Sequence, residues 1–252
     1  KLLGRAALPP FFIQIIAALS VTLVSTGILW LVNHKYWEFF ALIDPTILTV
    51  GGIVLLVAGM MIVGAFQDAI DEYYVTASAR LLKVVMLTLG IVLGVSMGLY
   101  AARQFGLAFV ATPDSLSFTN TTYQYIGAVI ISASFALSNN SRPVGLLITG
   151  ASGLLGYYVL LAVSELGLII IPANAVAGFT VGFTATVVSR LTRIPSQAII
   201  DAGIVPLVPG LTLYNGLMAL VANPAAADGT LLLMRAILIA VAIAAGASFG
   251  VL

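Results

Sequence analysis

Acidic side chains at two places in an otherwise apolar sequence are the groups that could carry protons or attract cations. Asp68, Asp71 and Glu72 follow one apolar stretch, and Asp201 precedes the Gly/Pro-rich part of another. A carboxylate at membrane depth is costly and usually functional, so Asp68 and Asp201 are the predicted proton-coupling residues. The alternative for Asp201 is that it caps a helix at the membrane interface. The alternative for Asp68, and above all for Asp71 and Glu72, is a position in a solvated loop before a helix.

Interrupted helices offer a second kind of chemistry. The second apolar stretch contains Gly59, and the seventh contains Pro206, Pro209 and Gly210. Proline removes a backbone donor, and glycine permits close approach or unwinding. Paired interruptions in equivalent spans are typical of a substrate site near the membrane midplane, where freed amides and carbonyls hold the ligand. The alternative is a simple kink, or tight helix packing through small residues.

Neutral polar side chains complete the predicted substrate site. Tyr214 and Asn215 follow the proline break by about one turn, and Asn174 lies inside another apolar stretch. Such groups can bind a carboxylate, ammonium or hydroxyl, although they more often bond across helices or to their own carbonyls. The predicted substrate-binding residues are Gly59, Asn174, Pro206, Pro209, Gly210, Tyr214 and Asn215.

Composition places these residues in a membrane. Hydrophobic residues make up 61% of the sequence and charged residues only 8%, whereas a soluble fold carries roughly a quarter charged residues. The chain has no cysteine and a single histidine, His34, which argues against thiolate or histidine metal sites. A net charge of +1 gives no indication of nucleic-acid binding. We predict an all-α integral membrane protein without a cofactor or metal.

The apolar runs predict eight transmembrane helices, since each is long enough to cross a bilayer core of roughly 30 Å. Their approximate ranges are 8–32, 47–66, 79–101, 123–137, 143–163, 172–188, 198–221 and 230–252. If the spans alternate, most basic residues fall on one side, which the positive-inside rule makes cytoplasmic. These residues are Lys1, Arg5, Arg80, Lys83, Arg142, Arg190 and Arg193. The predicted location is the cytoplasmic membrane of a bacterium.

An internal repeat relates the two halves of the sequence. The segments 52–59 and 203–210 share six of eight residues, and Gly94 and Gly98 match Gly246 and Gly250. Spans one to three therefore correspond to spans six to eight across an odd number of spans, which predicts an inverted repeat of the kind common in secondary transporters. We expect a first half at 1–102, an extracytoplasmic linker at 103–122 and a second half at 123–252.

The second half has two leading helices that the first half lacks. A five-plus-five design would obtain them from the parent protein or from a partner subunit. A homo-oligomer is the other association left open.

Several short motifs carry a resemblance to a known family. They include Gln67-Asp68, Thr76-Ala77-Ser78-Ala79-Arg80, and Pro206-Leu207-Val208-Pro209-Gly210 with Tyr214. With these motifs the chain resembles the bacterial threonine/serine exporter family over almost its whole length. The resemblance implies export of small hydroxylated amino acids driven by the proton gradient, and it leaves dicarboxylate export open.

A function of a different class is also compatible with one motif. The spacing Asp68-x-x-Asp71-Glu72 is similar to the magnesium-diphosphate motif of membrane prenyltransferases. Those enzymes usually present two acidic clusters, and the repeat-equivalent segment 216–226 has no acid. We therefore expect a transporter and not an enzyme.

Overall fold

Long apolar runs fold as helices in lipid because a helix satisfies its own backbone N–H and C=O groups. A computed structural model describes residues 8–33, 52, 59–104, 106, 120–222 and 227–251. In these residues the regular structure is helical, with no β-strand. The helices are α1 (Pro10–Asn33), α2 (Gly59–Ile70), α3 (Tyr74–Gln104), α4 (Thr121–Ser138), α5 (Pro143–Glu165), α6 (Ile170–Thr192), α7 (Ser196–Gly203), α8 (Gly210–Ala222) and α9 (Ala227–Val251).

The helices are long and apolar enough to confirm the all-α membrane class. Five described helices could each cross a bilayer, namely α1, α3, α5, α6 and α9, and α7 with α8 makes a sixth if the two count as one broken span. α4 is less apolar because Thr121, Thr122 and Gln124 occupy its first turn, and the described α2 has only 12 residues. Eight transmembrane helices therefore stay a prediction.

The predicted interruption of the seventh span is present. α7 ends at Gly203, a single 3₁₀ turn covers Val205–Leu207, and α8 begins at Gly210. Pro206 lies inside the 3₁₀ turn and Pro209 directly precedes α8. In the second span, α2 begins at Gly59, whereas residues 53–58 lie outside the described part, as do His34 and most of the predicted linker, 107–119.

The described helices form two compact units, and each unit takes segments from both halves of the sequence. The first unit contains α1, α3 from Leu82 onward, α8, and α9 up to Leu232. The second contains α2, α3 up to Leu81, α4 to α7, and the rest of α9. The predicted linker at 103–122 separates the two sequence repeats and not the two compact units, and this division stays a prediction.

Glycines bring two helices of the first unit into close contact. A Cβ at Gly90 of α3 would lie 3.0 Å from the Phe11 carbonyl oxygen of α1, and one at Gly98 would lie 2.6 Å from the Thr22 Cβ. The contacts advance in the same direction along both helices, so α1 and α3 run parallel. Beside this contact lies a buried cluster made of Ala18, Ile91, Val92, Val95 and Tyr214.

The second unit contains an equivalent parallel contact between α6 and α9. A Cβ at Gly178 would lie 2.7 Å from the Ile243 carbonyl oxygen, and one at Gly182 would overlap the Ala247 carbonyl oxygen. From the other side, Gly250 faces the Phe179 backbone in the same way. Small residues allow this approach of backbones in membrane helices. The contact fixes the end of α9 that borders the site described next.

Candidate functional site

A polar cavity of about 520 Å³ lies within the second unit. One face of α2, the start of α3, and single faces of α7 and α9 surround it, with one residue from α4. The lining residues are Met60, Gly64, Gln67, Asp68, Asp71, Arg80, Phe135, Gln197, Ile200, Asp201, Ala247, Ser248 and Val251. Polar and charged side chains in such number are unusual between apolar helices, so this cavity is the candidate functional site.

Helical spacing explains why α2 presents a polar face to the cavity. Gln67 and Asp68 lie three and four residues after Gly64, so all three project from the same side of the helix. The opposite side is apolar and buried through Ile62 and Val63. The predicted coupling residue Asp68 therefore faces the cavity because the apolar residues of α2 direct the other face into the protein.

Asp68 forms an ion pair with Arg80. The Asp68 Oδ2 atom lies 3.0 Å from Arg80 Nε, and this oxygen is buried without a well-aligned hydrogen bond, so the contact is mainly one of charge. A short turn between α2 and α3 brings the two residues together. In that turn the Tyr73 N–H donates to the Asp68 carbonyl at 2.7 Å, and Glu72 has a left-handed backbone with φ of 66°.

The Arg80 side chain lies across α2 toward the cavity. It is 47% exposed, whereas the Asp68 side chain is 19% exposed. Its Nη1 atom lies 3.0 Å from the position that a Cβ at Gly64 would take. The guanidinium therefore occupies the space that the missing side chain of Gly64 leaves on α2.

Asp201 reaches the same cavity from α7. Its Oδ1 atom accepts a hydrogen bond of 2.9 Å from Gln197 Nε2, one turn earlier on the helix. The N-cap of α7 is Pro195, so the alternative that Asp201 caps this helix is wrong. The structure thus brings the two acids that the sequence singled out, Asp68 and Asp201, to one cavity from separate helices.

Asp71 and Glu72 are both exposed, as expected for acids of a solvated loop. Asp71 nevertheless lines the cavity, which gives the cavity three carboxylates and one guanidinium. In the part of the chain that the structure describes, no three histidine, cysteine or acidic side chains come together as a metal site.

The other predicted substrate residues of the second unit do not line the cavity. Gly59 is buried at the start of α2, Pro209 is buried, and Pro206 is half-buried. The Asn174 side chain donates to the Ile170 carbonyl at 2.7 Å, and its own oxygen is buried without a partner among the described residues. Their role as ligands stays a prediction.

Tyr214, Asn215 and Gly210 belong to the first unit. Tyr214 is 2% exposed and packs in the buried cluster with Ala18 and Ile91. Asn215 is half-buried on the same helix. As for the residues above, their function in substrate binding stays a prediction.

Sequence reasoning missed several residues of the cavity. Gln67 and Arg80 belong to the motifs that carry the family resemblance, but neither was predicted as a site residue, and Gln197 and Ser248 carry no motif at all. A signal was present for two of them, because Gln67 adjoins Asp68 and Gln197 lies one helical turn before Asp201. Ser248 had no local signal, since only the packing of α9 brings it to the cavity.

Apolar helices long enough to cross a bilayer, together with a cavity lined by charged residues, define a multi-pass membrane protein with a polar site among its helices. The chain belongs to the threonine/serine exporter family: a family model described as "Threonine/Serine exporter, ThrE" matches residues 124–252. A second threonine/serine exporter model matches residues 1–101. Because this is a family of exporters, the alternative of a magnesium-dependent enzyme is dropped.

Two curated relatives match nearly the whole chain. One is named "Probable threonine/serine exporter" in Mycobacterium tuberculosis, is 30% identical, and is matched over 99% of this chain and 47% of its own length. The other is named "Threonine/serine exporter" in Corynebacterium glutamicum, is 31% identical, and is matched over 99% of this chain and 49% of its own length. The chain thus spans about half the length of these relatives. No solved structure matches it.

Proposed function

We propose that this chain is the membrane part of a secondary active transporter that exports threonine and serine by proton antiport across the bacterial cytoplasmic membrane. The observation that supports the proposal best is the meeting of Asp68 and Asp201 at one cavity. Antiport needs a group whose proton and the substrate exclude each other, and a carboxylate can meet this need by holding the ammonium group itself or by holding the arginine that binds the substrate. Two cavity-lining acids on separate helices satisfy that requirement.

The position of the cavity fits loading from the cytoplasm. It is bordered by the turn between α2 and α3, by the last turn of α4 and by the first turn of α7. The distribution of basic residues in the loops predicts that these ends are cytoplasmic. At a rise of about 1.5 Å per residue, the lining from Met60 to Asp68 covers about 12 Å along α2, which is more than a third of the roughly 30 Å thickness of a bilayer core.

The charges of the cavity favour a zwitterion over a dicarboxylate. Three carboxylates and one guanidinium line it, so a dianion would meet more repulsion than attraction. A small amino acid instead offers an ammonium group to the acids and a carboxylate to the arginine. Its hydroxyl group has Gln67, Gln197 and Ser248 within the same lining. Dicarboxylate export is therefore the weaker alternative.

The two glycine contacts support the proposed inverted repeat of eight spans. Gly94 and Gly98, which face α1, are the sequence equivalents of Gly246 and Gly250, which face α6. Both contacts join parallel helices, so the chain has to return across the membrane between the members of each pair. Between α6 and α9 the broken span α7–α8 makes that return. A five-plus-five design would then require two further helices, from the whole protein or from a partner subunit.

The interrupted span is the proposed source of backbone ligands. Pro206 has no N–H to donate to the Ala202 carbonyl, so that carbonyl loses its helical partner. Freed carbonyls of this kind can hold an ammonium group. Gly210 and Gly59 begin helices, and the N–H groups at a helix start would instead face the substrate's carboxylate. Pro209 directly precedes the start of α8, and Tyr214, Asn215 and Asn174 would supply side-chain contacts.

The test is counterflow of labelled threonine in proteoliposomes that contain the full-length protein. We expect uptake that depends on trapped internal threonine, and export that responds to a pH gradient. Asp68→Asn and Asp201→Asn should remove the response to the gradient, and Glu165→Gln, an exposed acid at the end of α5, should keep it. Full pH-driven export by both aspartate variants would refute proton coupling at this cavity. Absence of counterflow in the parent protein would refute amino-acid export.

A further inference from the structure

We propose that Arg80 binds the carboxylate group of the transported amino acid, and that Asp68 and Gly64 position its guanidinium for this purpose. The inference rests on the proposed function and assigns a role within the same cavity. Among the described residues that line the cavity, Arg80 is the one cation. A zwitterionic substrate in this cavity meets three carboxylates, and among the described lining residues only Arg80 offers a positive charge to the substrate's own carboxylate.

The ion pair leaves the binding edge of Arg80 available. Asp68 contacts the Nε atom, at 3.0 Å, while the terminal Nη atoms make no hydrogen bond within the described part of the chain. A guanidinium offers two parallel N–H groups along an edge, which match the two oxygens of a carboxylate. With Asp68 on Nε, the edge formed by the two Nη atoms is the one left for a ligand.

The exposure and the charge of Arg80 fit a residue that binds a ligand better than a residue in a purely structural ion pair. Nearly half of the Arg80 side chain is exposed, and its partner oxygen on Asp68 is buried. An exposed arginine held on one side by a buried carboxylate keeps a fixed direction at a low cost in side-chain entropy when a ligand binds. Asp201 and Asp71, which line the same cavity, are then the acids available to the ammonium group.

Gly64 makes the position possible. The guanidinium Nη1 lies 3.0 Å from the point where a Cβ would stand at residue 64. A methyl group there would push the guanidinium away from α2 without changing any charge. Gly64→Ala is therefore a variant that displaces the anchor, whereas Arg80→Gln removes it and Arg80→Lys keeps the charge but loses the two-pronged geometry.

The experiment measures threonine counterflow kinetics for the full-length protein and its Arg80→Gln, Arg80→Lys and Gly64→Ala variants. Loss of a hydrogen bond to a charged group predicts a rise in KM of about tenfold or more for Arg80→Gln, with a smaller rise for the other two. Arg142→Gln, which removes an exposed charge before α5, is the matched control and should leave KM unchanged. Threoninol, which lacks the carboxylate, should compete poorly with threonine in the parent protein.

The outcomes separate this inference from the proposed function. Counterflow with an unchanged KM in folded Arg80→Gln, or threoninol that competes as well as threonine, would overturn the role of Arg80 alone. Absence of threonine counterflow in the parent protein would overturn the proposed function and this inference with it. If Arg80→Gln does not fold, competition by threoninol in the parent protein and the KM of Gly64→Ala decide the matter.

Discussion

Asp68 on α2 and Arg80 on α3 are joined by an ion pair of 3.0 Å across a turn of three residues. Each belongs to a different short motif of the sequence, Gln67-Asp68 and Thr76-Ala77-Ser78-Ala79-Arg80. The two motifs are therefore parts of one feature, which places a mostly buried carboxylate and a half-exposed guanidinium at the edge of a polar cavity. The turn that joins the helices holds both motifs in register.

The ion pair predicts coupled effects on stability. Asp68→Asn and Arg80→Gln should each lower the melting temperature of the purified protein, and the double variant should lose less than the sum of the two. Because Arg80 is half exposed, we expect a coupling energy of only about 1 kcal/mol. The same cycle with Asp68→Asn and Arg142→Gln should be additive, and equal additivity in both cycles would show that the pair contributes nothing to stability.

Two neighbouring positions on α9 test whether the cavity is open to substrate. Ser248 lines the cavity, whereas Phe249 is 69% exposed on the outer surface of its unit. The chain has no cysteine, so Ser248→Cys and Phe249→Cys can be labelled individually with a maleimide. Threonine should slow the labelling of Ser248→Cys and leave that of Phe249→Cys unchanged. Protection of both cysteines, or of neither, would place the substrate elsewhere.

Glycine substitutions test the close contact between α6 and α9. Gly182→Val and Gly246→Val should lower the free energy of unfolding by about 1–3 kcal/mol each, because their side chains would overlap backbone atoms of the partner helix. Gly127→Ala on α4 is the control, since no atom lies within 4 Å of its new Cβ. That variant should be stabilised by about 0.5–1 kcal/mol through its helix propensity. Thermal unfolding in detergent measures these changes. If Gly127→Ala is destabilised as much as the valine variants, the described packing of α6 against α9 is wrong.

Cysteine labelling in whole cells tests the predicted topology. Asn140 lies in the short turn between α4 and α5, next to Arg142, and Ser117 lies in the predicted outer linker. Ser117→Cys should react with an impermeant maleimide in intact cells, whereas Asn140→Cys should react only after permeabilisation, because basic loops stay in the cytoplasm. The reverse pattern would turn the cavity to the outer side and contradict loading from the cytoplasm.

Local signals allowed much of this fold to be predicted. Long apolar runs specify helices without reference to their neighbours, and the proline pair at 206 and 209 interrupts a helix whatever surrounds it. Asp68 and Asp201 could be singled out because carboxylates next to apolar spans are costly. For the same reason the sequence alone predicts that the site is a polar cavity among apolar helices.

The remaining site residues depend on packing between helices. Arg80 reads in the sequence as one of several cytoplasmic charges, and only the turn after α2 directs it onto Asp68. Ser248 lies next to alanine and glycine residues and lines the cavity only because α9 packs against one side of it. Asp71 was expected to be a loop residue, and it is an exposed residue of the turn after α2, yet it also lines the cavity.

The short turn between α2 and α3 also bears on how the chain enters the membrane. An unpaired aspartate or arginine is costly wherever a membrane helix excludes water from it. Since residues 68 and 80 are close in sequence, their contact requires little loop closure and can form as soon as the two helices emerge together. The nascent helical hairpin can thus neutralise both charges during insertion, before α4, α7 and α9 are available to enclose them.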